Sequence, residues 1–156
     1  MRRLIFSLSL LLLCILCLFS CGESRRAADI AGDFSELFSG GVVYSKNAGE
    51  GEAGYIDGEF FSLMFGEDFE FSGDFAVWLD SSLSSVSEAG VFITDGPYEA
   101  KRTEEMLRER IRLISTVIAS SSIKLPEGFI RMYGNAVVYY VGGEPERAAR
   151  AWESIF

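Results

Sequence analysis

The tightest constraint on this chain lies at residues 129–141, where two apolar runs, Phe129 to Tyr133 and Ala136 to Val141, are separated only by Gly134-Asn135. Two residues cannot hold a crossover, so the runs must return antiparallel. A glycine at the first central position supplies the backbone freedom that such a tight turn needs. A second pair of extended segments comes earlier. Phe69, Phe71, Phe75, Val77 and Leu79 share one parity, which suits a strand with one buried face. A serine-rich connection at 81–87 leads to the next strand, Ala89 to Thr94.

Each strand pair is followed by a helical pattern. Asp95-Gly96-Pro97 turns the chain from strand to helix, with Pro97 in the first turn, where its missing N–H costs nothing. The helix expected from Tyr98 to Ser120 has a stripe of Leu107, Ile111, Ile114 and Ile118, widened by Met106, Leu113 and Val117. Pro126 forbids its continuation. Gly142-Gly143-Glu144-Pro145 opens a closing helix, Glu146 to Ile155, which carries Ala148, Ala149, Trp152 and Ile155.

Two shorter helices come first. One runs from Ala27 to Ser39 with Ile30, Phe34, Leu37 and Phe38 on one side, and Gly40-Gly41 stops it. The other is capped by Asp57, carries Phe60, Phe61, Met64 and Phe65, and stops at Gly66. Strand–strand–helix twice, behind two short helices, predicts a two-layer α+β domain: one antiparallel sheet with helices on one face.

The first residues set the compartment. Arg2 and Arg3 precede an apolar or small-residue run from Leu4 to Ser20, which ends Leu18-Phe19-Ser20-Cys21-Gly22. That is the pattern of a bacterial lipoprotein signal, in which Cys21 takes lipid on sulfur and becomes the first residue of the mature chain. The expected organisation is a signal peptide at 1–20, a lipidated tether at 21–26 and a single domain at 27–156. An uncleaved membrane anchor is the alternative, though the 17-residue run is short for a span. Either way the domain is placed outside the cytoplasm, held at the outer face of the cell membrane.

Composition removes many chemistries. Cys14 and Cys17 fall inside the signal, so the mature domain keeps only Cys21 and forms no internal disulfide. The chain has no histidine, which excludes His-ligated zinc, Ser-His-Asp and Cys-His catalysis. From Ala27 to Ala100 there are 15 acidic residues against one basic, Lys46, whereas Lys101 to Phe156 holds nine basic and seven acidic. Phosphate backbones repel so acidic a surface, so nucleic acid is not an expected partner. The acidity serves solubility beside a charged wall, or draws a cationic or envelope-protein partner.

Several local patterns invite a chemical reading. Gly49-Glu50-Gly51-Glu52-Ala53-Gly54 fits G-x-G-x-x-G. Two glutamates beside the phosphates and no amphipathic helix at the last glycine make it a loop. Glu67, Asp68, Glu70 and Asp74 offer oxygen ligands for calcium without the spacing of an EF-hand, and read as solvated acids. Carboxylate pairs of the kind that hydrolyse wall glycans are available by residue type, but none stands out by context. Trp78, Tyr139 and Tyr140 would suit a sugar or peptide surface if exposed, and ordinary packing if not. Lys101, Arg102, Arg108, Arg110 and Arg112 form either a solvated face balanced by Glu104, Glu105 and Glu109 or a docking strip for the acidic N-terminal half of a second copy or for anionic wall polymer. No pattern calls for a cofactor or a metal, and no residue is marked as catalytic.

Glu88-Ala89-Gly90-Val91-Phe92-Ile93, the charged helix through Leu107-Arg108-Glu109-Arg110, and Gly134-Asn135-Ala136-Val137-Val138-Tyr139-Tyr140-Val141 with the closing helix resemble small bacterial lipoproteins that carry the domain of unknown function 4358. The likeness covers about residues 27–156. The acidic glycine-rich loop at 46–54 and the phenylalanine-dense stretch 60–75 depart from it. It implies display outside the cytoplasm and brings no catalytic residue, cofactor or substrate. The expected activity is therefore non-enzymatic binding or scaffolding at the envelope, with a carboxylate-dependent enzyme or a calcium-responsive adhesion module as alternatives.

Overall fold

The computed structural model describes residues 25–38, 41–48, 54–66, 71–80, 87–119 and 127–156. In chain order the elements are α1 (Ala27–Phe38), β1 (Val42–Ser45), α2 (Gly58–Phe65), β2 (Asp74–Leu79), β3 (Glu88–Ile93), α3 (Pro97–Ala119), β4 (Glu127–Tyr133), β5 (Ala136–Gly142) and α4 (Pro145–Ile155). Five antiparallel strands form one sheet in the order β1-β2-β3-β5-β4. The domain is α+β, as its strand–strand–helix pattern implies.

The β4–β5 hairpin has the expected turn: Tyr133 pairs with Ala136 across Gly134-Asn135, and Gly134 takes φ 60°. Asp57 caps α2 by accepting from the Phe60 N–H at 2.7 Å. α3 follows the turn at Asp95-Gly96 and is tied back to it, because the Glu99 carboxylate accepts from the Asp95 N–H at 2.6 Å.

The helices expected on one face are divided between both. On one side α1 and α4 cover Ala76, Trp78, Ala89, Val91, Ala136, Val138 and Tyr140. On the other, α2 and α3 cover Phe75, Val77, Phe92, Val137 and Tyr139. The cause lies in the central strands. Every residue of β5 is buried, and Ala-Val-Val-Tyr-Tyr-Val-Gly has no polar parity that could face water. A strand apolar on both sides needs a helix layer over each.

Aromatic rings fill both layers. Phe34 stacks on Trp152 at 4.3 Å between centroids and on Phe38 at 4.7 Å, while Phe75 stacks on Phe92 at 5.6 Å across the other face. Leu107 and Ile114 are buried on α3 as expected. Met106 widens the stripe as expected, whereas Leu113 and Val117, farther along the helix, are exposed. β1 is a strand that the apolar pattern does not announce. It is only four residues long and forms a sheet edge.

Candidate functional site

The clearest polar constellation in the described domain is buried between the sheet and α3. Glu88 opens β3 and is 3% exposed, with its side chain on the same face as Gly90 and Phe92. Arg110 reaches it from α3 in a bidentate grip, with Nε donating to Oε1 at 2.9 Å and Nη2 to Oε2 at 2.6 Å. The Tyr139 hydroxyl donates to Oε1 at 2.5 Å from the neighbouring strand β5. Arg110 Nη1 also donates to the Met64 carbonyl at 3.1 Å, and the guanidinium lies 5.8 Å from the Phe65 ring centroid. One arginine thus joins α3, β3 and the end of α2.

Electrostatics fix the charge of the two donors, Tyr139 and Arg110. Burial, followed by the charge and hydrogen bonding of Glu88, pushes the Tyr139 phenol well above its usual range, so it remains a donor. Burial opposes the charge on Arg110, but its hydrogen bonds to Glu88 and the carboxylate charge leave its pKa raised. The guanidinium stays cationic and both carboxylate oxygens are occupied by fixed donors. Glu88 lines neither of the two cavities whose walls are described. The cluster clamps α3 to the sheet.

Gly90 makes the clamp possible. Tyr139 lies across the strand from Gly90, and a Cβ there would stand 2.5 Å from Tyr139 Cε1 and 3.0 Å from the Ala76 carbonyl oxygen. Gly90→Ala is therefore expected to cost about 1–3 kcal/mol, as overpacking displaces the ring that holds Glu88. Chemical denaturation would read this as a lower midpoint. An unchanged midpoint would mean that the ring has room to move.

The other candidates fall as follows. Trp78, Tyr139 and Tyr140 are all buried and offer no sugar- or peptide-binding face. Asp74 serves the fold, since one oxygen accepts from the Ala27 N–H at 2.7 Å and the other from Asn47 Nδ2 at 2.6 Å. Cys21, the loop at 49–53, and Glu67, Asp68 and Glu70 lie outside the described residues. Among those described, no cluster of three or more His, Cys, Asp or Glu side chains is placed to hold a metal ion. On α3, Arg108 pairs with Glu104 and Arg112 with Glu109 on open surface, where such pairs contribute little. Arg110 leaves that row for the core, which its place in a charged helix hides. The sequence marks only its partner: Glu88 is the one charged residue on a strand otherwise apolar.

Among the described residues, two open cavities have fully defined walls. One, of about 340 Å³, runs between α3 and the edge strand β4 and is lined by Arg108, Ile111, Arg112, Gly128, Phe129 and Ile130. The other, of about 570 Å³, lies along the outer side of α2 by Asp57, Phe60 and Leu63. Neither gathers convergent polar groups of the kind that orient a small substrate. No described helix is long and apolar enough to cross a membrane. No family model, no curated protein and no solved structure matches the chain.

Proposed function

We propose that the chain is a lipoprotein of the cell envelope: a binding or scaffolding domain without catalysis of its own, tethered through lipid on Cys21 to the outer face of the membrane. The observation that carries this reading is how the domain begins. Arg25 donates to the Ile155 carbonyl at 3.2 Å and pairs with Asp33, and Asp74 holds the Ala27 N–H. The packed domain thus starts within four residues of the cysteine that closes the signal pattern. The resemblance to lipoproteins with the domain of unknown function 4358 points the same way.

The commitment of Glu88 to Arg110 and Tyr139 supports a domain that displays a surface over one that turns over a substrate. The acidic stretch between Ala27 and Ala100 suits a cationic or envelope-protein partner. The mass of the membrane-extracted chain tests the anchor. The expected result is an N-terminus at Cys21 carrying diacylglycerol, and a Cys21→Ser chain that leaves the membrane fraction. Persistence of residues 1–20 with no lipid adduct would overturn the anchor.

A further inference from the structure

We propose that the domain rests on the lipid surface with its tether end down, and that Met132 and Phe156, which flank the β4–β5 turn, meet the headgroup boundary with Tyr98 beside them. This rests on the reading of Cys21 as the lipidated residue.

Named contacts place these side chains at the tether end. Arg25 binds the Ile155 carbonyl at the last turn of α4, and Phe156 follows directly. The Phe156 ring stacks on Tyr133 at 4.6 Å with the planes 3° apart, and Met132 is the next residue on β4. The Thr94 N–H donates to the Asn135 carbonyl at 2.9 Å, which sets the start of α3, and with it Tyr98, beside the hairpin turn. Asp74 and Ile93, paired across β2 and β3, lie at the same end of the sheet. Tyr98 is 77% exposed, Met132 52% and Phe156 47%. Large apolar groups gathered at one end of a soluble domain are a docking feature, and aromatic side chains favour the membrane interface.

Reach decides what covers them. From Cys21 to Arg25 there are four peptide steps, which span at most about 14 Å at full extension. α3 has 23 residues, so it runs about 35 Å from the tether end to the far end of the domain. A domain turned upside down would lift Arg25 more than twice as far from the bilayer as the tether allows. The other exposed apolar groups lie elsewhere: Leu37, Val42 and Val117 toward that far end, out of reach of the lipid, Leu113 in the second half of α3, and Leu63 on the outer side of α2. The bilayer is thus the one surface that the anchor holds permanently against Met132 and Phe156. The contact is apolar, because the cations nearest the anchor, Arg25 and Arg26, are each paired with a carboxylate, Asp33 and Asp29.

The mature chain carries no cysteine beyond the acylated one, so a single introduced thiol reports alone. Asn135→Cys and Leu37→Cys chains, acylated at Cys21, are labelled with an environment-sensitive fluorophore. They are then placed in vesicles of phosphatidylcholine and phosphatidylglycerol with or without nitroxide-bearing lipid. The label at 135 is expected to shift to the blue and to be quenched by the nitroxide lipid, the label at 37 to stay aqueous, and added salt to leave both readings in place. Adding Met132→Ser and Phe156→Ser together should return the label at 135 to an aqueous signal. An acylated, membrane-bound chain with both labels aqueous, or a shift at 135 that survives the double substitution, overturns the proposal and leaves the anchor standing. A mass spectrum without lipid on Cys21 overturns the anchor and the proposal with it.

Discussion

An Arg110→Ala domain is expected to lose about 3–5 kcal/mol of stability, out of the roughly 5–15 kcal/mol that holds a domain of this size folded. The cost comes from the carboxylate left behind. The Glu88 side chain is 5% exposed, and without Arg110 its remaining side-chain partner among the described residues is the Tyr139 hydroxyl. Chemical denaturation would read the loss as a lower midpoint. Exchanging both partners, Glu88→Gln with Arg110→Met, should cost less than Arg110→Ala alone, because no unpaired charge stays inside and Tyr139 keeps an acceptor. An equal loss in both would mean that the contacts of Arg110 with Met64 and Phe65 matter and its charge does not.

The second large effect is expected on the opposite face of the sheet. Trp152 is fully buried between α4 and α1 and stacks on Phe34 at 4.3 Å. Trp152→Ala should cost about 3–5 kcal/mol through the cavity it leaves. Trp152→Phe should cost only about 1–1.5 kcal/mol, for two reasons. A benzene ring fills most of the site, and the indole Nε1 has no hydrogen-bond partner among the described residues to lose. Thermal or urea unfolding of the two variants separates these contributions. If both lose the same amount, the indole N–H has an unrecognised partner, such as a buried water.

Local patterns made most of the elements legible. The Gly134-Asn135 turn, the Asp57 cap and the apolar spacing of α1, α3 and α4 each follow from neighbours in the chain. What the sequence hides depends on partners distant in the chain. β1 has four residues, and its pairing of Val42 with Leu79 is set by the strand it meets. Both-sided burial of β5 was written in its composition, yet alternation along Phe69 to Leu79 drew attention to a single face. Arg110 is indistinguishable in sequence from Arg108 and Arg112. Its role appears only because its position on α3 points at a strand 22 residues earlier. As for the tether, Arg25 and Arg26 look like polar spacer, but their contacts with Ile155, Asp33 and Asp29 make them the first residues of the domain.

The meeting of α1 and α4 also governs when the domain is finished. Synthesis delivers α1 first, and its apolar side lies over β1, β2 and β3 but is closed by α4. Phe34 waits for Trp152, and the Leu37 carbonyl waits for Arg147, a contact 110 positions along the chain. Until that last helix arrives, Phe34 meets Trp78 and Tyr140 on the sheet but lacks the ring that closes its outer side. A chain cut before α4 would therefore leave part of this aromatic layer open to solvent.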